Sequence, residues 1–289
     1  MKILVTGGSG FIGSALINSL VNENVKIYCA DFLDRKEYRI GYNVFIDPEE
    51  VLLKNYDLIY HLGACSNTLE GDVEYIEDIN TLYSMRLFNY AVKKQIPFVY
   101  ASSASVYCAK SPYSQSKKIF DRWIEGRKKY PPFWYGLRFH NVYGPNEYHK
   151  GAMSSFVLSA YQQIVDNGFV QLFGHTKFNI LRDFVYVKDV VDILKTIVDV
   201  PKHKSGIYDL GTGQSRSFED LSNILFDKLK VPRDIRYIKM PEHIEKQYQY
   251  WTQANSGLTD VLDYTYASLE DGIADYVRYL NKHKFIRGH

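Results

Sequence analysis

Tyr113 and Lys117 stand four residues apart in the segment SPYSQSKK, a few residues after the strand-like segment FVYASSASVY. A tyrosine phenol has a reference pKa near 10, so at neutral pH it is a poor base. On a helix, residues four apart share a face, and a lysine cation there favours the phenolate. Lowering the phenol pKa by roughly 3 takes about 4 kcal/mol, which requires a partly dehydrated cleft. The pair therefore predicts proton transfer in an enzyme.

A tyrosine and a lysine at this spacing are a weak pattern alone, because Tyr90 and Lys94 match it too. Nothing near that second pair offers a hydroxyl at a strand end, so we interpret it as packing and solvent-facing residues. Upstream of the first pair, a predicted strand ends in two serines, at the edge where ligands gather in open α/β sheets. We expect Ser103 to donate to a substrate oxygen and Tyr113 to take its proton. Lys117 would then hold a nicotinamide ribose.

The chain opens on TGGSGFIGS, where Gly7, Gly10 and Gly13 follow a predicted strand directly and begin a predicted helix. Such glycines let the backbone turn tightly and approach a pyrophosphate at the helix N-terminus. Asp31 ends the second predicted strand, about 20 residues on, where a ribose-binding carboxylate is expected. The alternative is a purely structural turn. Because strand, turn, helix and acid are all in place, we favour dinucleotide binding.

The residues after the second predicted strand leave the cofactor's phosphate preference open. Asp31 would accept a hydrogen bond from the ribose 2′-hydroxyl of NAD, whereas Arg35 and Lys36 would neutralise the 2′-phosphate of NADP. The alternative for the two basic residues is a solvated loop. We therefore predict NADP or NAD as the cofactor.

The composition excludes several classes of protein. The 289 residues are 46% hydrophobic, and the net charge is +2 with a pI near 8.2. The basic residues are scattered without a base-stacking motif, which indicates no nucleic-acid partner. Cys29, Cys65 and Cys108 form no metal-binding pattern, so we expect reduced thiols and no metal. The apolar run at the N-terminus is too short for a signal peptide and no stretch approaches a membrane span. We therefore expect a cytoplasmic protein without membrane contact.

Short β-branched runs alternate with helical patterns in the first half of the chain, which is typical of a parallel sheet with crossover helices. Strands are predicted in KILVT, VKIYCAD, YDLIYHLGA and IPFVYASS, and FWYGLRFHNVYG is predicted as a strand that runs into a loop. Helices are predicted in FIGSALINSLV, from about Val73 to Lys94, and in PYSQSKKIFDRWIEG. Later segments add a helix around Phe156 to Ile164, a strand and helix in RDFVYVKDVVDILKTIV, a strand in SGIYDLGTG, and helices in EDLSNILFDKL and SLEDGIADYVRYL.

These elements predict an α/β fold, a Rossmann-like doubly wound parallel sheet with a smaller C-terminal α/β substrate-binding lobe. We expect an NAD(P)-binding domain at residues 1–143, rejoined by about 183–205. The substrate-binding lobe would then cover residues 144–182 and 206–289.

Five segments, TGGSGFIGS, YASSASVY, YSQSK, FHNVYGP and RDFVYVKDV, resemble the extended short-chain dehydrogenase/reductase superfamily, whose members epimerise, dehydrate or reduce nucleotide-linked sugars. Three longer stretches, HLGACSNTLE, NVYGPNEYHKGAMSS and YQYWTQAN, resemble the ADP-glyceromanno-heptose 6-epimerase family, which builds the heptose precursor of lipopolysaccharide cores. The resemblance runs along nearly the whole chain. It implies a nucleotide-sugar substrate and a homo-oligomer that associates through the helices near residues 73–94 and 113–126.

The resemblance also implies a mechanism with two bases. Hydride leaves C6″ of the heptose for the nicotinamide, giving a ketone, and returns to the opposite face, so each configuration needs its own base. Tyr113 matches one base, and Lys150 in YHKGA matches the other. A lysine acts as a base only if its pKa falls from about 10.4, through burial or a neighbouring cation such as His149. Without the resemblance, Lys150 would be interpreted as a surface loop residue.

The resemblance assigns binding residues as well. The cofactor-binding set is Gly7, Gly10, Phe11, Ile12, Gly13, Asp31, Phe32, Lys36, Leu62, Gly63, Ala64, Cys65, Ser66, Lys117 and Val142. The substrate-binding set is Asn141, Phe173, Arg182 and Tyr248. For Arg182 there is an independent reason, since a buried guanidinium can grip a diphosphate bidentately. The alternative for Arg182 is an ion pair with Asp183.

Departures from the family pattern concern the sugar. Only five residues, Cys108 to Pro112, separate Tyr107 from Tyr113, where relatives carry a longer loop over the sugar. The family's serine after KG is Ala152 here, and a histidine further along is Ser159. Lost polar contacts imply a changed pocket. Two alternatives therefore stay open. One is C4 oxidation or 4-epimerisation of another nucleotide sugar, for which one tyrosine base suffices, and the other is a dinucleotide-binding regulator without catalysis.

Overall fold

The computed structural model describes residues 1–21, 23–34, 40–68, 70–174, 179–245 and 248–283. The strands are β1 (Lys2–Thr6), β2 (Lys26–Ala30), β3 (Val44–Ile46), β4 (Leu58–His61), β5 (Phe98–Ser103), β6 (Trp134–Phe139), β7 (Asn141–Tyr143), β8 (Val170–Gly174), β9 (Leu181–Tyr186), β10 (Gly206–Leu210), β11 (Ser215–Ser217) and β12 (Ile235–Lys239). The α-helices are α1 (Phe11–Leu20), α2 (Val73–Ile76), α3 (Tyr83–Lys94), α4 (Pro112–Glu125), α5 (Phe156–Asn167), α6 (Val187–Thr196), α7 (Phe218–Leu229), α8 (Glu242–Glu245), α9 (Gly257–Leu262) and α10 (Leu269–Lys282).

Seven strands of the described chain form one sheet in the order β10-β6-β5-β4-β1-β2-β3, and every neighbouring pair in it is parallel. In β1, the apolar residues Ile3, Leu4 and Val5 are at most 1% exposed, as expected of a strand covered on both faces. The strand order reverses beside β1, because β2 and β3 lie on one side of it and β4 on the other. This arrangement confirms the predicted α/β fold with a doubly wound parallel sheet.

Aromatic side chains hold α4 against the sheet. The ring of Phe120 on α4 meets that of Tyr100 on β5 edge to face, with centroids 5.0 Å apart. Phe88 on α3 meets Phe98 on β5 in the same way at 5.3 Å. All four residues are at most 2% exposed. Burial of this much aromatic surface fixes the helix on the strand, and α4 carries the tyrosine and lysine singled out above.

The second unit of the chain comprises residues 140–190, 211–255 and 265–289. Within it, β9 pairs in parallel with β7 and antiparallel with β11, and β12 pairs in parallel with β8. Helix α7 packs against α5 and α10, and Phe156 of α5 meets Phe218 of α7 with ring centroids 4.8 Å apart.

The first unit comprises residues 1–139, 191–210 and 256–264, and its bounds differ from the predicted ones. The β9 segment was expected to rejoin the first domain but pairs with β7 and β11 in the second unit. The β10 segment was expected in the lobe but extends the seven-stranded sheet beside β6. FWYGLRFHNVYG, predicted as a strand that runs into a loop, contains two strands, β6 and β7, in different sheets. The reason is physical: side-chain alternation predicts a strand, whereas the backbone partner of that strand is a long-range contact.

Phe120→Ala should lower the free energy of unfolding by about 3–5 kcal/mol, because it leaves a cavity between α4 and β5. The neighbouring Ile119 is 52% exposed, so Ile119→Ala should cost about 1 kcal/mol or less. Urea unfolding followed by circular dichroism measures both values. Equal losses in the two variants would contradict the described packing.

Candidate active site

The glycine turn after β1 is a close backbone contact. Gly7 has a φ of +67°, and a Cβ there would lie 2.5 Å from the Cα of Gly63. At Gly13, a Cβ would lie 2.1 Å from the carbonyl oxygen of Gly7. Gly10 is the N-cap of α1, and in the described chain no side chain caps that helix end. No side chain would fit at Gly7 or Gly13 without a clash. The N-terminus of α1 at this turn suits the binding of a pyrophosphate. Phe11 and Ile12, also assigned to the cofactor, are the first two residues of α1.

Asp31 directly follows β2 and is bonded to the glycine turn. Its Oδ2 accepts a hydrogen bond from the backbone N–H of Ser9 at 2.9 Å, and its Oδ1 accepts one from that of Phe32 at 2.8 Å. The carboxylate is therefore held beside the turn, as expected of a ribose-binding acid. Phe32 is 64% exposed. Arg35 and Lys36 lie outside the described residues, so their roles stay predictions.

The stretch Leu62–Ser66, which includes Gly63, Ala64 and Cys65, is held in place by polar side chains. Thr6 Oγ1 accepts a hydrogen bond from the backbone N–H of Gly63 at 3.1 Å. Asn80 bonds to both sides of Cys65: its Oδ1 accepts from the backbone N–H at 2.8 Å and its Nδ2 donates to the carbonyl at 3.0 Å. These bonds fix the backbone of a segment assigned to the cofactor.

Sequence reasoning missed Asn80. It lies in a π-helical turn, Glu77–Leu82, that joins α2 to α3, where one regular helix was predicted. Its side chain is fully buried and also donates to Ser116 Oγ on α4 at 3.1 Å. A π turn is common at functional sites. The only signal in the sequence is a polar residue on the buried side of an amphipathic helix.

The residues Ser103, Tyr113 and Lys117 come together where β5 meets the first turns of α4. Ser103 hydrogen-bonds to the Tyr113 side chain. Lys117 Nζ donates to the backbone carbonyl of Ala101 on β5 at 2.9 Å. Ser111 caps the helix through a reciprocal bond with the third helical residue, so α4 begins just before the tyrosine. The predicted serine, tyrosine and lysine are thus neighbours in the first unit.

Burial shifts both titratable groups of this cluster. Lys117 is 5% exposed, and loss of hydration lowers its pKa to about 8. Burial raises the pKa of Tyr113, and the hydrogen bond from Ser103 lowers it by less. The sequence analysis expected a lowered phenol pKa. The structure shows the opposite net direction, because dehydration disfavours the phenolate more than the hydroxyl bond favours it.

The second tyrosine–lysine pair has the structural role expected of it. Tyr90 is 9% exposed, and its hydroxyl donates to the backbone carbonyl of Lys54. Lys94 is exposed at the end of α3. The interpretation of this pair as packing and solvent-facing residues is confirmed.

In the second unit, Lys150 lies half-buried in a 3₁₀ segment, Tyr148–Met153. Burial lowers its pKa, and the negative charge of Glu147 raises it by less. Glu147 is fully buried and accepts from the backbone N–H of Gly144 at 3.1 Å and from Ser155 Oγ at 2.8 Å. The carboxylate thereby joins both ends of the loop that carries the lysine.

Arg182 is 8% exposed, and its guanidinium carbon lies 5.1 Å from the ring centroid of Tyr248. The ring of Phe173 meets that of Tyr248 edge to face at 6.4 Å. Three of the four residues assigned to the substrate are therefore neighbours. Burial lowers the pKa of Arg182, as expected of a cation that has lost water.

Asp183, the alternative partner of Arg182, is held by other groups. Its two carboxylate oxygens accept hydrogen bonds from the backbone N–H groups of Thr212, Gly213 and Ala254, at 2.8 to 2.9 Å. Asp183 thus ties two loops together, which makes the ion-pair interpretation the weaker one.

The remaining assigned residues lie on β7. Asn141 Oδ1 accepts from Thr252 Oγ1 at 3.3 Å, and Val142 pairs with Val185 of β9. Both residues belong to the second unit. Among the residues that the structure describes, no helix is long and apolar enough to cross a membrane, and no group of three His, Cys, Asp or Glu side chains is placed to hold a metal ion.

Comparisons with known proteins agree with this geometry. The model of the NAD dependent epimerase/dehydratase family matches residues 3–211. An ADP-L-glycero-D-manno-heptose-6-epimerase of Fusobacterium nucleatum is 38% identical over 97% of this chain and 98% of its own. One from Nitratidesulfovibrio vulgaris is 34% identical over 95% and 96%.

Solved structures are similar as well. The Helicobacter pylori ADP-L-glycero-D-manno-heptose-6-epimerase superposes with a TM-score of 0.85 at 28% identity, over 97% of this chain and 96% of its own. A UDP-glucose 4-epimerase of Thermotoga maritima shares the fold, with a TM-score of 0.83 at 22% identity over 98% and 100%. The chain belongs to the NAD dependent epimerase/dehydratase family and, within it, to the family of the ADP-glyceromanno-heptose 6-epimerases.

Proposed function

We propose that this enzyme converts ADP-D-glycero-D-manno-heptose to ADP-L-glycero-D-manno-heptose by transient oxidation and reduction at C6″. The observation that carries the proposal is the cluster of Ser103, Tyr113 and the buried Lys117, in the same unit as a dinucleotide-type glycine turn. The two relatives above 30% identity bear the name of this activity. We assign NADP or NAD as the cofactor and leave the choice to the residues after Asp31.

The protein supplies proton transfer and orientation. A nicotinamide cofactor, held by the glycine turn and Asp31, would supply reversible hydride transfer. In the first unit, Tyr113 accepts the proton of the sugar hydroxyl while Ser103 donates a hydrogen bond to the same oxygen. We assign to Lys117, whose pKa burial lowers to about 8, the positive charge that favours the phenolate.

A second base is needed for the opposite configuration, because a proton can be exchanged only on the face that a base reaches. We assign this role to Lys150. Burial lowers its pKa, which is the direction that favours the neutral amine a base requires. Gly151, the next residue, has a φ of +52°, so the loop turns sharply just after the lysine.

The nucleotide diphosphate would be bound by Arg182. A guanidinium held between aromatic rings keeps its fork oriented, and its bidentate hydrogen bonds match a phosphate. Phe173 and Tyr248 supply apolar surface beside it. Asn141 and Val142 on β7 are further proposed contacts, of the sugar and the cofactor respectively. Homo-oligomerisation and a cytoplasmic location stay part of the proposal.

Because the chain departs from the family pattern near the expected sugar pocket, the identity of the sugar should be tested. Ala152 is exposed, and Ser159 accepts a hydrogen bond from Gln163 at 3.3 Å. We therefore retain a second candidate, C4 oxidation or 4-epimerisation of another nucleotide sugar, because a site built for hydroxyl groups discriminates through them.

Incubation with ADP-heptose, GDP-heptose and UDP-hexoses, followed by mass spectrometry and NMR of the products, should give C6″ epimerisation of ADP-heptose alone. Inversion or oxidation at C4 would select the second candidate. No change in any sugar, together with no reduction of added cofactor, would support the regulator instead.

Lys150→Ala should lower the rate of C6″ epimerisation by about 10²- to 10⁴-fold, because one of the two bases is lost. The exposed Lys128→Ala is the matched control and should keep the wild-type rate. NMR of the C6″ signal over time measures both. Epimerisation by Lys150→Ala at a near wild-type rate would refute the two-base assignment.

The value of kcat/KM should fall as the pH rises through about 8. Lys117 has its pKa lowered to about 8, so its ammonium is present below that pH and lost above it, and the phenolate loses a stabilising charge. Lys117→Arg keeps a positive charge at every pH in the range, so its activity, lower overall, should lack this alkaline fall. The same fall in both enzymes would assign it to another group.

A further inference from the structure

Asp121 lies one helical turn after Lys117 on α4, and Lys117 lies one turn after Tyr113. Residues four apart on a helix are neighbours, with Cβ atoms about 5–6 Å apart. The strand beside them holds both charged groups, because the carbonyl of Ala101 accepts from the lysine at 2.9 Å and Ser102 Oγ donates to the aspartate at 3.0 Å. Tyr113, Lys117 and Asp121 therefore lie in one row along α4.

The surroundings of Asp121 suit a buried negative charge. The residue is 1% exposed. The carboxylate accepts from Tyr100 Oη at 3.0 Å, from Ser102 Oγ at 3.0 Å and from Arg138 Nε at 2.9 Å. Buried charges persist only when paired and hydrogen-bonded, and these three donors meet that condition.

A negatively charged neighbour stabilises the buried ammonium group of Lys117. Its burial disfavours the ammonium, whereas the charge of Asp121 and the thiol of Cys65 favour it. The other titratable groups of the cluster are the phenol of Tyr113, the imidazole of His61, and the phenol of Tyr100 and guanidinium of Arg138 that contact the aspartate. His61 is neutral, because burial and the lysine charge lower its pKa to about 3.

We propose that Asp121 is a positioning residue of the reaction: its buried carboxylate keeps the ammonium of Lys117 charged and in place beside Tyr113. The proposal rests on the proposed function, since it assumes that Tyr113 and Lys117 carry the chemistry. Asp121 touches neither substrate nor cofactor in this scheme. It acts through the lysine. Its carboxylate also pairs with Arg138, so Lys117 and Arg138 share its negative charge.

The test is NMR titration of the full-length protein labelled with [13Cε]lysine, in which the Lys117 signal is assigned by its absence in Lys117→Arg. In wild type the signal should titrate near pH 8. In Asp121→Asn the midpoint should fall by at least about one pH unit, because a buried charge one helical turn away is removed. Asp121→Glu should restore the wild-type midpoint, since it restores the charge.

Asp209→Asn is the matched control. Asp209 accepts from Tyr107 Oη at 2.7 Å, and Arg138 Nη1 donates to the same hydroxyl at 3.1 Å. The substitution therefore removes a buried carboxylate from the far end of the same network and should leave the Lys117 midpoint unchanged. An equal fall in Asp209→Asn, or an unchanged midpoint in Asp121→Asn, would overturn the proposal.

A second variant decides the matter if Asp121→Asn does not fold. Arg138→Met removes the cation that Asp121 contacts, so the carboxylate then acts on Lys117 alone and the midpoint should rise. A midpoint that falls or stays the same would overturn the proposal. The titration needs no substrate, so its failure is distinct from that of the proposed function, which would appear as wild-type enzyme without C6″ epimerisation.

Discussion

The candidate site depends on the burial of one ammonium group. Lys117 loses most of its hydration between β5 and α4, and it keeps a pKa of about 8 because a backbone carbonyl and a nearby carboxylate compensate part of that loss. The same dehydration raises the pKa of Tyr113. Burial therefore drives both groups toward their neutral forms. The hydroxyl of Ser103 opposes this effect at the tyrosine, and the carboxylate of Asp121 opposes it at the lysine. The contacts that hold α4 on β5 decide how this balance is set.

Tyr100 shows how the apolar core and the polar site are joined. Its ring packs against Phe120 in the core, while its hydroxyl donates to Asp121. A shift of α4 would disturb both contacts at once. The segment that follows the neighbouring strand β4, residues 62–66, is held by hydrogen bonds to Thr6 and Asn80. The groups that would face a cofactor are thus held by buried neighbours, which gives the precise placement that catalysis needs.

Much of the first unit was predictable because its signals are local. Strand β1, the glycine turn and the start of α4 each depend on residues within a few positions, such as Ser111 as a helix cap. The assignment of the later strands to the two units was harder to predict. Whether β9 and β10 join one sheet or another depends on partners distant in the chain. The bounds of the units therefore differ from the predicted ones, although β9 and β10 themselves were expected.

The sequence by itself determined the chemical types and their local spacing: a glycine turn before a helix, an acid after the second strand, and a tyrosine and lysine on one helix face. The resemblance to the family was also visible in the sequence. Only the tertiary structure decided which distant groups surround them, as with Asn80 at Ser116 and Asp121 at Arg138. It also decided the direction in which the pKa values of Tyr113 and Lys117 shift. The reason is that spacing along a helix is a local property, whereas hydration and long-range charge depend on the folded chain.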